Sequence, residues 1–273
     1  MTSNKGDCEG LNFEKSSSQF IARVQKALIM IVRAKQGRQS GEVKVDTCRQ
    51  LGTGFFINPK GTAITNCHVL KLFDEPLTQD EALAAVYFDS VANQYICAVL
   101  KEEAKTFRHI DIAIMELNCK PASWLPLYEG IVNLGDVICT LGYPVRHAEE
   151  GHFSLSDIKS QVKFCCTTIS SIRKQDFVCN KGLIELRGKR LLEIDRYMSY
   201  GCSGSPVLRL NDGQVIGVVV GTTLHVEDTL YATVYEPNKE KESLKPIPFI
   251  VPTSFVISVE EILPVVGQWQ SET

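Results

Sequence analysis

The sequence predicts an all-β fold of two six-stranded antiparallel barrels sharing a cleft, with short helices at the N- and C-terminal ends. Short apolar runs rich in Val, Ile, Phe and Tyr recur along the 273 residues, separated by Gly, Asn, Asp, Pro or charged turns. They fall into two groups of similar strand count, one on each side of a proline-bearing stretch. Helical patterning is confined to the two ends.

Residues 1–17 are polar and read as a flexible lead. Ser17 or Ser18 then suits the N-cap of an amphipathic helix carrying Phe20, Ile21, Val24 and Ala27. Within residues 18–118, strands are expected over 28–32, 52–57, 63–65, 84–88, 95–100 and 112–117. Residues 119–134, with Pro121 and Pro126, read as a connector. Residues 135–264 hold the second unit, with strands over 137–141, 162–170, 183–186, 206–210, 215–220, 230–235 and 249–252, a closing helix over 256–263, and a tail over 265–273. Two features interrupt that pattern: a basic stretch, Arg187-Gly188-Lys189-Arg190, read as a hairpin turn, and His225 to Pro248, read as a long charged loop inserted between strands.

Composition narrows the function classes. Hydrophobic content of 44% and charged content of 22% are those of an ordinary globular chain. A net charge of -3 supplies no field to steer nucleic acid or an anionic membrane toward the protein, and neither is expected as a partner. The ten cysteines include no Cys-x-x-Cys pair, and Cys165 and Cys166 would face opposite sides of a strand, so no metal site is expected. Reduced thiols are the expectation. The N-terminal stretch lacks the apolar core of a signal peptide, and the apolar run 27–32 is too short to span a bilayer, which points to a cytosolic or nuclear setting.

Three segments carry chemistry. A hydroxyl nucleophile needs a base to take its proton, a carboxylate to orient that base, and donors for the developing oxyanion. The stretch from Thr53 to Leu70 contains a strand ending in Asn66-Cys67-His68; Arg108-His109-Ile110-Asp111-Ile112 sends an acid into an apolar strand; and Gly201-Cys202-Ser203-Gly204-Ser205-Pro206 must turn tightly and present backbone amides.

In that order these segments resemble the His, Asp and Ser boxes of the trypsin-like, chymotrypsin-fold serine peptidases, and more closely those of the HtrA/Deg peptidases. Residues 135–145, Ile194-Asp195 with Tyr200, 212–218 and 249–253 resemble the strands framing that family's site, so the likeness covers about residues 20–263, without a PDZ module. The resemblance implies Greek-key barrels with the active site between them. It implies His68 as general base and acid, Asp111 as its orienting partner, Ser203 as nucleophile, and the amides of Gly201 and Ser203 as the oxyanion hole. It further implies a serine endopeptidase acting on proteins or peptides through an acyl-enzyme, without a cofactor. A homo-oligomer would fit, since trimers are common in that family, with Phe13 and Phe20 free to serve assembly or to cover the barrel. The residue six before the nucleophile, Tyr197, would lie at the base of the primary pocket, with Val218, Val219 and Val220 as walls, favouring aliphatic over basic P1 residues.

The sequence departs from digestive trypsins at Cys202, which stands where they carry the aspartate that receives a newly cut N-terminus. Cys202 cannot form that salt bridge, so activation by clipping is not expected. Viral relatives use a cysteine nucleophile, but the matching position here is Ser203. Two rival readings keep the fold and discard the chemistry: a catalytically silent binding module and a protein-interaction scaffold.

Overall fold

The computed structural model describes residues 8–36, 43–70, 77–79, 81–100, 104–145, 158–179, 184–236 and 241–272. Helix α1 (Cys8–Ala27) leads directly into strand β1 (Leu28–Gln36). Then follow β2 (Val43–Phe56), β3 (Thr62–Asn66), the single-turn helix α2 (Cys67–Leu70), β4 (Glu81–Asp89), β5 (Gln94–Val99), β6 (Lys105–Phe107) and β7 (Ile112–Glu116). These strands form one seven-stranded sheet in the order β5-β4-β1-β2-β3-β7-β6. The second unit comprises β8 (Val137–Gly142), the single-turn helix α3 (Ile158–Gln161), β9 (Lys163–Cys179), β10 (Ile184–Ile194), β11 (Pro206–Arg209), β12 (Val215–Glu236), β13 (Lys241–Ser258) and α4 (Val259–Glu272). Its six strands close into a barrel in the order β10-β13-β12-β11-β8-β9. The architecture is the expected pair of β units. The first has seven strands rather than six, because the three-residue β6, too short to show in the pattern, pairs with β7.

Strand β1 shows how the sequence builds the first sheet. Leu28, Met30, Val32 and Ala34 enter one apolar cluster, while Ile29 and Ile31 enter another, the two-residue alternation of a strand buried on both faces. β1 can be apolar on both sides because it is central, lying between β2 and β4. Phe20 and Ile21 of α1 pack against the same cluster as Leu28, and the Phe20 ring lies beside Gly213 in the turn between β11 and β12. Phe20 therefore covers the body of the protein. Phe13 lies outside the residues whose side chains are described.

The structure moves four sequence-based boundaries. Helix α1 begins at Cys8, ten residues before the expected cap, and α4 begins at Val259 and runs to Glu272, so the expected tail is helical. Ile262, Val265, Val266 and Trp269 of α4 are buried, which is the periodic contact that holds it. The basic stretch 187–190 is not a hairpin turn. It lies inside β10 at a bulge, where Gly188 takes a φ of +60° and donates its N–H to Asp176. Nor do residues 225–236 and 241–248 form a loop: they belong to β12 and β13, which pair from Gly217↔Ser258 to Glu236↔Lys241 with bulges at Val219/Gly221 and Val226/Asp228, while 237–240 lie outside the described residues. Charge is compatible with a paired ribbon, because the backbone groups satisfy each other whatever the side chains carry.

Between β1 and β4, the Arg33 guanidinium hydrogen-bonds the Glu81 carboxylate. That bond, with support from Thr78, holds the Glu81 carboxyl down at about 2 against its ordinary 4.5. A lowered folded-state pKa stabilises above the unfolded value and stops doing so as pH falls through the folded one. Glu81→Gln is expected to cost about 1–2 kcal/mol at neutral pH, measured by urea denaturation. The deficit should shrink as pH drops from 4.5 toward 2.

Candidate active site

Sheet register places the histidine against the acid. Strands β3 and β7 are antiparallel with Asn66 opposite Ile112, so the residues just after Asn66 meet the residue just before Ile112. His68 Nδ1 lies 2.6 Å from one oxygen of Asp111, and the His68 backbone N–H donates to the other at 2.9 Å. The Asp111 carbonyl accepts from Cys67 N at 3.1 Å and Asn66 Nδ2 at 3.0 Å. Both side chains of the pair are nearly out of solvent, at 3% and 4% exposure. A buried carboxylate is tolerated only with such partners. Asp111 itself sits in the left-handed region, φ 52°, closing a 3-10 turn over Arg108–Ile110. His109, by contrast, is exposed within that turn.

Ser203 arrives from the other unit. The turn 199–205 precedes β11, and its backbone can be accounted for group by group. The carbonyl of Tyr200 accepts from Val145 N at 2.7 Å, that of Gly201 from Thr53 Oγ1 at 2.9 Å, that of Cys202 from Ser205 N at 3.0 Å, and that of Ser203 from Thr53 N at 2.9 Å. The amides of Cys202 and Gly204 donate to Ser199 O and Val219 O. Among the described residues nothing accepts from the amides of Gly201 and Ser203. Two glycines are required here. Gly201 has φ +88°, and a Cβ there would lie 2.6 Å from Val145 N; Gly204 has φ +84°, and its Cβ would lie 1.9 Å from Thr53 O. The Ser203 hydroxyl donates to Val220 O at 2.9 Å, with no hydrogen bond to His68.

The residues expected around a substrate pocket have different environments. Tyr197 is half exposed, its ring 5.8 Å from the Lys163 ammonium, which also reaches Ser199 Oγ at 3.3 Å. Val218 and Val220 belong to one buried cluster and Val219 to another, as alternation along a strand requires. Two hydroxyls that sequence reasoning missed stand beside them. Thr222 Oγ1 donates to Met198 O at 3.0 Å and lies 2.6 Å from Ser254 Oγ, and Met198 N lies 3.2 Å from both oxygens. They close the gap between the segment before the nucleophile and the strand after Val220. Their signal was absent because the two hydroxyls meet only through the pairing of Thr222 with Ser254 across β12 and β13.

Cys202 is fully buried within an apolar cluster, and burial pushes its thiol up to about 11; burial takes Cys139 to about 12. Cys67 is also buried, its Sγ 2.9 Å from Ile112 O. These thiols are walls of the fold, not reactive groups. In the native protein a maleimide at mildly alkaline pH should label exposed Cys166 at least about tenfold faster than Cys202, whose complete burial keeps the reagent from its sulfur. Peptide mapping checks this, and prompt labelling of Cys202 would contradict it.

A sequence profile described as the trypsin-like peptidase domain matches residues 52–218. No curated protein sequence matches the chain. Among solved structures the chain is similar to the Rv3671c protease from M. tuberculosis in its active form, with 19% identity, 97% of this chain and 90% of that one covered, and a TM-score of 0.55. It is similar to Deg5 with 13% identity, 92% of each chain covered and a TM-score of 0.55. It is also similar to the HtrA-type protease AlgW with a decapeptide, with 15% identity, 92% of this chain and 65% of that one covered, and a TM-score of 0.52. These likenesses establish the two-barrel, chymotrypsin-like fold. The profile spans more than half of the 273 residues and contains His68, Asp111 and Ser203, so the chain belongs to the trypsin-like peptidase family.

Proposed function

We propose that the protein is a serine endopeptidase in which Ser203 attacks the peptide carbonyl, His68 carries the proton and Asp111 orients His68. The observation that carries this reading is the buried pair itself, with His68 Nδ1 at 2.6 Å from Asp111 and the second carboxylate oxygen held by the His68 amide. That arrangement fixes the tautomer: Nδ1 carries the proton toward Asp111, leaving the other ring nitrogen as a base. The reaction requires the Ser203 side chain to rotate away from Val220 O toward that nitrogen. As the hydroxyl adds to the carbonyl, its proton passes to His68 and the oxyanion meets the amides of Gly201 and Ser203, which donate to no described residue. His68 then protonates the leaving amine. Water, deprotonated by His68, releases the acyl group and restores Ser203.

The substrate side chain next to the attacked bond would enter between residues 197–200 and 220–222, close to half-exposed Tyr197 and to the hydroxyls of Thr222 and Ser254. This supports a preference for small aliphatic residues. The setting we propose is cytosolic or nuclear, in keeping with ten cysteines that show no disulfide-framework spacing.

One observation favours the silent-module rival, namely the Ser203 hydroxyl engaged with Val220 O rather than His68. Covalent labelling decides between them. The wild-type protein is expected to take up a fluorophosphonate and Ser203→Ala to take up none; an unlabelled, folded wild type would support the silent module. In a peptide library, Ala and Val should be preferred at P1 over Arg and Lys. Thr222→Gly should raise kcat/KM for Leu or Phe at P1 by about tenfold relative to Ala, the scale of a few methylenes in an apolar pocket. Efficient wild-type cleavage after Arg would contradict the pocket assignment.

A further inference from the structure

Thr53 lies on β2, in the other unit from Ser203, and is not one of the three residues of the proposed triad. It is completely buried and makes four hydrogen bonds. Its amide donates to Ser203 O at 2.9 Å, its hydroxyl donates to Gly201 O at 2.9 Å and accepts from Tyr143 N at 3.0 Å, and its carbonyl accepts from Thr65 Oγ1 at 2.6 Å. We propose that Thr53 is a positioning residue for the nucleophile turn, its hydroxyl holding the Gly201–Cys202 peptide that lies between the Gly201 and Ser203 amides. This rests on the reading of Ser203 as nucleophile.

The argument is geometric. In a planar trans peptide the C=O and N–H point in opposite directions, so a pinned carbonyl aims the following N–H. The Tyr200 and Cys202 carbonyls, held by Val145 N and Ser205 N, aim the amides of Gly201 and Ser203. The intervening carbonyls, of Gly201 and Ser203, are both held by Thr53, one through its side chain and one through its backbone. Gly201, at φ +88° and without a Cβ, shares with Gly204 the widest conformational choice in the turn and needs an external restraint. The same hydroxyl binds the amide of Tyr143, two residues before the Val145 amide that holds Tyr200 O. One oxygen thus couples both sets of restraints. A residue needed only to fill space would require no hydroxyl, and valine would replace it.

The test compares Thr53→Val, which keeps the shape and removes the hydroxyl, with Thr53→Ser, which keeps the hydroxyl. In Thr53→Val, kcat on a peptide substrate is expected to fall about 10- to 100-fold with KM unchanged, less than the loss on removing an oxyanion donor outright. Thr53→Ser should stay within about threefold of wild type, as a retained hydroxyl retains the restraint. Hydrogen exchange supplies a readout independent of activity: amides in segment 199–205 should exchange at least about tenfold faster in Thr53→Val while β10 and β13 exchange as in wild type. Should Thr53→Val not fold, Thr53→Cys, with a weaker donor and acceptor, replaces it. Wild-type kcat and wild-type exchange in Thr53→Val would overturn the proposal, as would acceleration spread evenly over all strands. If the wild-type protein cleaves nothing, the nucleophile reading fails, and the exchange comparison still decides the role of Thr53.

Discussion

A carboxylate almost out of water is the constraint around which this molecule is organised. Asp111 is placed where solvation is lost, and every one of its polar groups is answered by a neighbour: one oxygen by the His68 ring, the other by the His68 amide, its carbonyl by Asn66 and Cys67. Those partners come from a single stretch at the end of β3, so the cost of burying the charge is met only if β3 and β7 pair in one register. A one-residue slip would turn the Asn66 side chain away from the acid. The electrostatics of the pair and the alignment of the sheet are one constraint.

The two units share one apolar cluster, which holds both Leu28 and Leu208, and the Lys105–Glu272 ion pair, and the turn bearing Ser203 meets the first unit through hydrogen bonds. Its carbonyls at Gly201 and Ser203 are held by β2, that of Tyr200 by Val145 of its own unit, and that of Cys202 by Ser205 within the turn. Cys202, buried within an apolar cluster, contributes packing beside the nucleophile candidate.

Much of this was legible in the letters. Strands such as β1 and β3 announce themselves by short apolar and β-branched runs, Leu28 to Val32 and Ala63 to Thr65, and the order of His68, Asp111 and Ser203 with glycines at 201 and 204 carries the family resemblance that the profile match supports. What was illegible depends on pairing between distant residues. Nothing local distinguishes Thr222 or Ser254 from other surface-like hydroxyls until β12 and β13 bring them together. Thr53 reads as an ordinary strand residue until the opposite unit is in place. Residues 225–236 and 241–248 read as a loop because their charges resemble those of one, whereas they are joined by backbone pairing, to which side-chain polarity is a poor guide.

The bond from Thr53 to Gly201 links residues 148 apart in sequence, and that from Tyr143 to Thr53 links residues 90 apart. Closing contacts of that span is the slow, entropically expensive part of folding, and it comes after the local strands have formed. The first unit alone holds the His68–Asp111 pair, and the second alone holds the turn bearing Ser203. The two parts meet only when the units dock, so the complete geometry belongs to the finished molecule and is absent from a partly folded one.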